Sequence, residues 1–233
     1  MNKGVIGDWA YVYKKYVPDS LYQELQYKLI ETDNGSDVEV THTLYDDVND
    51  NIVALPRYCD FVEELLSENS LQDNRTVGED INIELKTEPR DKYQMDAVNS
   101  MLLNDHGILF AKTAFGKTYV AINTISKLKK KTLILMHKRD LMNQWKDDIL
   151  KYTNLTDDDV QIFTGSNFET GKAITITTVQ NICSKIRHDN LKIRDLIYNE
   201  NFGITIYDEC HRTMGPLDTT KTSRWVTTTL YIE

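Results

Sequence analysis

A parallel α/β sheet with helices on both faces, preceded by a small α+β domain, is the fold that the sequence predicts. Three observations carry the prediction. From Pro89 onward short apolar strands alternate with helical stretches, one strand runs through a turn straight into a helix, and the sign of the charge changes near Pro89.

The strands are bounded by polar or turn residues and are apolar or β-branched throughout, as strands covered on both faces must be. They are Gly107–Phe110 (GILF), Thr132–Met136 (TLILM), Val160–Phe163 (VQIF), Ala173–Thr177 (AITIT) and Gly203–Tyr207 (GITIY). Apolar residues at three- and four-residue spacing predict helices over Tyr93–Leu103, Thr118–Leu128, Arg139–Tyr152 and Val179–Ile186.

Charge sets the domain boundary. Residues 1–88 hold 7 Lys and Arg against 19 Asp and Glu, a net of −12, whereas residues 89–233 hold 20 against 17, a net of +3. Thr87, Glu88 and Pro89 form a connector, because the residue before proline is pushed away from helix, so the expected domains are 1–88 and 89–233. In the acidic part Tyr11–Tyr27 carries scattered aromatics without a clean stripe. Val38–Leu44 alternates as a half-buried strand, Asp46–Asn51 reads as a turn and Asn51–Leu55 as a strand ended by Pro56, which together predict a hairpin over Glu39–Leu55. Cys59–Leu66 has the spacing of a helix. This part holds no catalytic constellation, and its acid excess reads as a solvated surface.

With 40% hydrophobic and 27% charged residues and only 4 prolines in 233, the composition excludes disordered and collagenous classes. At this length about 70% of the unfolded surface is buried on folding, so neither metal nor disulfide is needed for a core. Cys59, Cys183 and Cys210 are odd in number and form no CxxC pair, and no apolar run is long enough to span a membrane. A reducing, cytoplasmic setting and no membrane partner are expected. The net charge of −9 argues against binding a polyanion, but only as an average over two unlike halves.

The first predicted strand leads into Ala111-Lys112-Thr113-Ala114-Phe115-Gly116-Lys117-Thr118 and then a helix. This matches a phosphate-binding P-loop except at its first glycine. Such a loop curls backbone N–H groups around a β-phosphate and aims a helix N-terminus at it, with a lysine reaching the β- and γ-phosphates and a hydroxyl on Mg²⁺. Gly116, Lys117 and Thr118 supply the last three positions. A turn with a solvated lysine is the plain alternative, and the strand before and helix after argue against it. The strand Ile204–Tyr207 ends in Asp208-Glu209-Cys210-His211. An adjacent acidic pair at a strand's C-terminal end suits phosphoryl transfer, with Asp208 in the Mg²⁺ shell and Glu209 aligning and deprotonating the attacking water.

With these residues in place the chain resembles the first RecA-like motor domain of the superfamily 2 helicases and translocases, whose P-loop reads AxTGxGKT. Ala114 stands where that pattern has glycine. Asp208–His211 resembles the DExH box in its DECH form, which makes Cys210 a box residue and gives His211 a coupling role. The resemblance implies ATP and Mg²⁺ as cofactors, with Gln94, Thr113, Ala114, Phe115, Gly116, Lys117 and Thr118 around the nucleotide, Thr118 and Asp208 on the metal, and Lys117, Asp208 and Glu209 catalytic. Tyr93-Gln94 resembles the upstream glutamine motif that reads adenine, but Asp91 stands where the motif has arginine, flanked by Arg90 and Lys92. His137 and Lys138, followed by Leu141, Gln144 and Trp145, resemble a loop that touches a nucleic-acid backbone. Thr178-Val179-Gln180 resembles the next such loop, and Thr178 could equally cap the following helix. Lys127, Lys129, Lys130 and Lys131 either touch DNA or complement a helix dipole.

Tyr45 through Leu55-Pro56-Arg57 resembles a hairpin ahead of the motor in phage recombination helicases of the UvsW type, which implies that residues 1–88 position DNA. The implied activity is ATP-dependent movement on single-stranded, duplex or branched DNA in recombination, repair or replication, in a host cytoplasm if the chain is phage-encoded. An RNA helicase and a non-catalytic nucleotide- or DNA-binding fragment stay open as alternatives. Trp225–Glu233 does not resemble the family's continuation, so a Ser-Ala-Thr strand and a second RecA-like domain with its arginine finger are missing, and slow or absent hydrolysis is expected of this chain alone.

Overall fold

The computed structural model describes residues 1–7, 9–33, 36–104, 106–165, 167–187, 195–197, 199–209 and 228–232. It divides into two compact units, Met1–Arg75 and Thr76–Glu233.

In the first unit β1 (Gly4–Ile6), β2 (Ala10–Tyr13), β5 (Asp46–Asp47), β6 (Ile52–Leu55) and β7 (Leu71–Asp73) form a sheet in the order β5-β6-β2-β1-β7. Ile6, Val12, Val53 and Leu55 from the sheet pack with Leu21 of α1 (Asp19–Glu24) and with Val62 and Leu65 of α2 (Asp60–Ser67). The helix predicted at Cys59–Leu66 is present as α2, but the hairpin predicted over Glu39–Leu55 is not. β4 (Ser36–Thr43) pairs antiparallel with β3 (Gln26–Asp33) in a two-stranded sheet of its own, while β6 pairs with β2 and β5. Asp46 and Asp47 are thus strand rather than turn, and the turn falls after them, where Asn49 Oδ1 accepts from the backbone N–H of Asn51 and of Ile52. Val53 and Leu55 are fully buried beside β2, whereas the β4 side chains that the structure describes are half-buried or exposed. Arg57 is itself buried, donating to Gly7 O at 3.3 Å and to Tyr58 Oη at 2.9 Å.

The second unit carries a six-stranded sheet of β8 (His106–Leu109), β9 (Thr132–Met136), β10 (Val160–Ile162), β11 (Ile174–Thr178), β12 (Ile204–Asp208) and β13 (Thr228–Ile232), ordered β10-β11-β9-β12-β13-β8. Every pairing in it is parallel. Side-chain alternation splits the apolar runs between two faces. Ile134, Met136, Ile174, Ile176, Ile204 and Ile206 face α3 (Lys92–Leu102), α4 (Lys117–Leu128) and α5 (Asp140–Tyr152), and Leu133, Leu135 and Tyr207 face α6 (Val179–Arg187), Ile197 and Phe202. The predicted strands and helices are therefore present, with ends shifted by a residue or so. The tail departs from expectation: β13 takes the place between β12 and β8, pairing with both. Its run of β-branched Thr228, Thr229 and Ile232 with aromatic Tyr231 has the composition of a strand.

The boundary also moves. Residues 76–88 belong to the second unit, because Ile83 is fully buried in its core and bridges join Asp80 to Lys130 and Leu85 to Thr153. Gly78 adopts φ +74° with its ideal Cβ position 2.2 Å from Gly203 Cα, so only glycine fits. Acidic residues here meet the lysine cluster: Asp80 pairs with Lys130 at 2.7 Å and Glu79 with Lys131 at 3.0 Å. Divided at Arg75, the first unit holds 6 basic against 15 acidic residues, a net of −9, and the second 21 against 21, a net of zero. The charge step near Pro89 thus arose from a complementary pair of segments in one unit.

Lys131 is buried and also meets Glu200 at 2.8 Å, where Glu200 accepts from Gly171 N–H at 2.9 Å. Burial lowers the ammonium's pKa, and its two carboxylate partners more than reverse this, holding it above the ordinary lysine value. Glu200→Ala leaves that cation half-compensated in the interior, and a loss of about 3 kcal/mol of stability is expected in urea unfolding.

Candidate functional site

The loop from Phe110 to Gly116 joins the edge strand β8 to α4. Gly116 caps the helix in the left-handed region at φ 89°, and a Cβ there would lie 2.5 Å from Gln94 Nε2. Ala114 is left-handed too, at φ 65°, so the one departure from the P-loop pattern sits where glycine would carry no strain. For an L-residue this conformation costs about 1–2 kcal/mol. Ala114→Gly is accordingly expected to leave the loop intact and to raise stability by up to about 1 kcal/mol, read as a higher thermal midpoint.

The first turn of α3 braces the loop from behind. Asp91 caps α3, accepting from Gln94 N–H at 3.0 Å, and so sets Gln94 against the loop. Gln94 Nε2 donates to Phe115 O at 2.8 Å, its Oε1 accepts from Arg90 N–H at 2.9 Å, and the side chain is 3% exposed. Arg90 reaches the carbonyls of Ala114 and Phe115 at 3.4 and 3.3 Å. Asp91, in the place of the motif's arginine, is thus a helix cap. In this arrangement both ends of the Gln94 amide are engaged, Nε2 with the loop and Oε1 with the Arg90 backbone. Lys117, the first residue of α4, curls back to donate to Ala111 O at 2.9 Å; Thr118 follows it, half-buried, and Thr113 is exposed.

The register brings the acidic pair to the same edge. Ile232 lies opposite Asp208 on one side and opposite Leu109 on the other, so Asp208 is level with the last residue of the P-loop strand, two strand spacings or about 10 Å away. Burial pushes the Asp208 carboxyl up from its usual range, against the pull of the Trp145 indole donor; the Glu209 charge adds to the rise, and the Glu209 N–H and the Lys117 ammonium oppose it. Asp208 Oδ2 accepts from Trp145 Nε1 at 2.7 Å and Oδ1 from Glu209 N–H at 3.1 Å. Glu209 itself is left-handed at φ 54°, a strained backbone of the kind that aims side chains at functional edges.

A second group gathers farther along that edge. Thr178 lies opposite Met136, and past these strand ends His137 Nδ1 and Gln180 Nε2 are 3.2 Å apart. Lys138 is exposed. Thr178 is 5% exposed, and its hydroxyl accepts from Asn181 N–H at 3.1 Å, so the capping role is realised. Lys130 and Lys131 are tied into the ion pairs above. Cys210 and His211 lie outside the described residues. Nothing contiguous in the sequence joins Trp145 to Asp208; the signal it carries is the stripe Met142, Trp145 and Ile149, which turns this face of α5 into the core.

The fold is that of a RecA-like helicase core. The chain belongs to the ResIII family, the type III restriction enzyme res subunit family, which matches residues 86–228. It is similar to the general transcription and DNA repair factor IIH helicase/translocase subunit XPB of Encephalitozoon cuniculi, 35% identical over 51% of this chain and 19% of that protein. It is also similar to the DNA 3'-5' translocase XPB2 of Sulfurisphaera tokodaii, 36% identical over 54% of this chain and 26% of that protein. The chain thus spans about a fifth to a quarter of the length of these relatives. In fold it resembles the UvsW helicase of bacteriophage T4, with a TM-score of 0.61 and 17% identity over 93% of this chain and 86% of that one. No helix among the described residues is long and apolar enough to cross a membrane.

Proposed function

We propose that this chain is the first motor domain of an ATP-dependent DNA helicase or translocase. The observation that supports the reading is the register Asp208–Ile232–Leu109, which puts Asp208 level with the end of the strand that feeds the loop before Lys117. The donor set fits Mg·ATP. Among the described residues no cluster of three His, Cys, Asp or Glu could hold a metal alone, and Mg²⁺ is commonly held by one or two carboxylates, water and the substrate's own phosphates. Asp208 and the Thr118 hydroxyl would hold it, where it neutralises phosphate charge.

Lys117 leaves Ala111 O to meet the β- and γ-phosphates, and the N–H groups of residues 113–118 line the phosphates. Glu209 orients a water and accepts its proton; Gln94 and Arg90 keep the loop in shape. Asp208 to His211 act as a DECH-type DExH box, with His211 coupling it to a second RecA-like domain in a longer protein. His137, Lys138 and Thr178 touch a nucleic-acid backbone, and such contacts do not read sequence. The XPB-type relatives, named for DNA and for repair, support DNA as the polymer. Residues 1–75 form an accessory unit that positions single-stranded, duplex or branched DNA through local features, since its net charge of −9 is unfavourable for phosphate. A setting in the cytoplasm, and a phage recombination role of the UvsW type, complete the reading.

The test is ATP hydrolysis by the protein carrying its second motor domain, compared with duplex DNA, single-stranded DNA and RNA. Stimulation by DNA above RNA is expected. Stimulation by RNA alone would move the reading to an RNA helicase, and none by any polymer would reduce it to a nucleotide-binding module.

A further inference from the structure

We infer that Trp145 is a positioning residue for the metal-facing carboxylate, its indole N–H holding Asp208 Oδ2 so that the carboxylate presents a fixed edge to a divalent cation. The inference rests on the reading of Asp208 as a magnesium ligand and goes beyond it in naming what orients that ligand.

Packing alone does not account for this side chain. Trp145 is 2% exposed on the α5 face that meets the sheet, where Met142 and Ile149 fill the same role without a polar atom. Its one donor ends on Asp208 at 2.7 Å, at the short end for an N–H donor and as expected when the acceptor is charged. The two carboxylate oxygens thus have different anchors, Oδ1 on the Glu209 N–H and Oδ2 on the indole. A carboxylate held at both oxygens loses the freedom to swing, yet each oxygen keeps a further lone pair for a cation. The second anchor is borne by α5, which starts at Asp140, one residue past His137 and Lys138. The donor that fixes the metal ligand is therefore built on the helix that follows the loop assigned to the nucleic-acid backbone.

Partners of this kind are typically worth about 10- to 100-fold in metal affinity. The experiment titrates a fluorescent ATP analogue into the 233-residue chain and its Trp145→Phe variant across a magnesium series and in EDTA. The variant is expected to need about tenfold more Mg²⁺ for half of the magnesium-dependent gain in affinity, while affinity in EDTA matches that of the unaltered chain. A merely structural tryptophan would instead weaken both together. An equal magnesium requirement in the two proteins overturns the inference and leaves the reading of Asp208 standing. No magnesium effect in the unaltered chain overturns that reading and the inference with it. Should Trp145→Phe fail to fold by circular dichroism, Trp145 emission decides, measured with Trp9 and Trp225 both replaced by phenylalanine. A response to Mg·ATP that is absent with ATP in EDTA supports the role, and no response overturns it.

Discussion

Lys117→Ala weakens Mg·ATP binding by about tenfold or more in calorimetry of the 233-residue chain, while its thermal midpoint hardly moves. The ammonium's partner here is Ala111 O, on a half-buried lysine. Losing that bond costs the folded chain little, because the carbonyl lies in a solvent-facing loop. Losing the bond to a phosphate costs far more: hydrogen bonds between charged groups are worth about 1.5–3 kcal/mol, and about 1.4 kcal/mol is a factor of ten in affinity. Lys117→Ala also removes the positive charge that pulls the Asp208 carboxyl down, leaving that group still higher than its usual range. A variant that binds Mg·ATP as tightly as the unaltered chain would show that the loop is a turn with a solvated lysine.

The second large effect concerns Glu209. In the protein carrying its second motor domain, Glu209→Gln is expected to lower DNA-stimulated hydrolysis by about 10²- to 10⁴-fold, the usual contribution of a positioned base. ATP binding is expected to be retained, since the amide matches the carboxylate in size and removes a negative charge beside the phosphates. Equal loss of binding and hydrolysis would assign Glu209 to holding the nucleotide rather than to proton transfer.

Much of this was legible in the chain. The five strands from Gly107 to Tyr207 and the four helices between Tyr93 and Ile186 announced themselves because both faces of the sheet are covered, which turns each strand into a short apolar run. The loop Ala111–Thr118 and the Asp208-Glu209 pair stand out in the sequence because the chemistry proposed for them demands contiguous residues. What the sequence hid was long-range. The hairpin at Glu39–Leu55 was misjudged because alternation in Val38–Leu44 identifies a strand and not its partner. The boundary at Pro89 was misplaced because Glu79 and Asp80 carry charges that find their mates at Lys131 and Lys130, far along the chain. The sequence neighbours of Trp145 align it with the nucleic-acid loop, whereas its donor points to Asp208 at the end of β12, a partner 63 residues away. β13 escaped because strand propensity in Thr228–Ile232 does not reveal which slot a strand fills.

Amide hydrogen exchange of the 233-residue chain with and without Mg·ATP tests the site most directly. Slowed exchange confined to residues 111–118 and 204–209 is the expected result, because those are the segments proposed to cradle the phosphates and to bear the metal-facing carboxylate. Unchanged exchange there at saturating Mg·ATP, or protection centred elsewhere, would contradict a nucleotide site on this edge of the sheet.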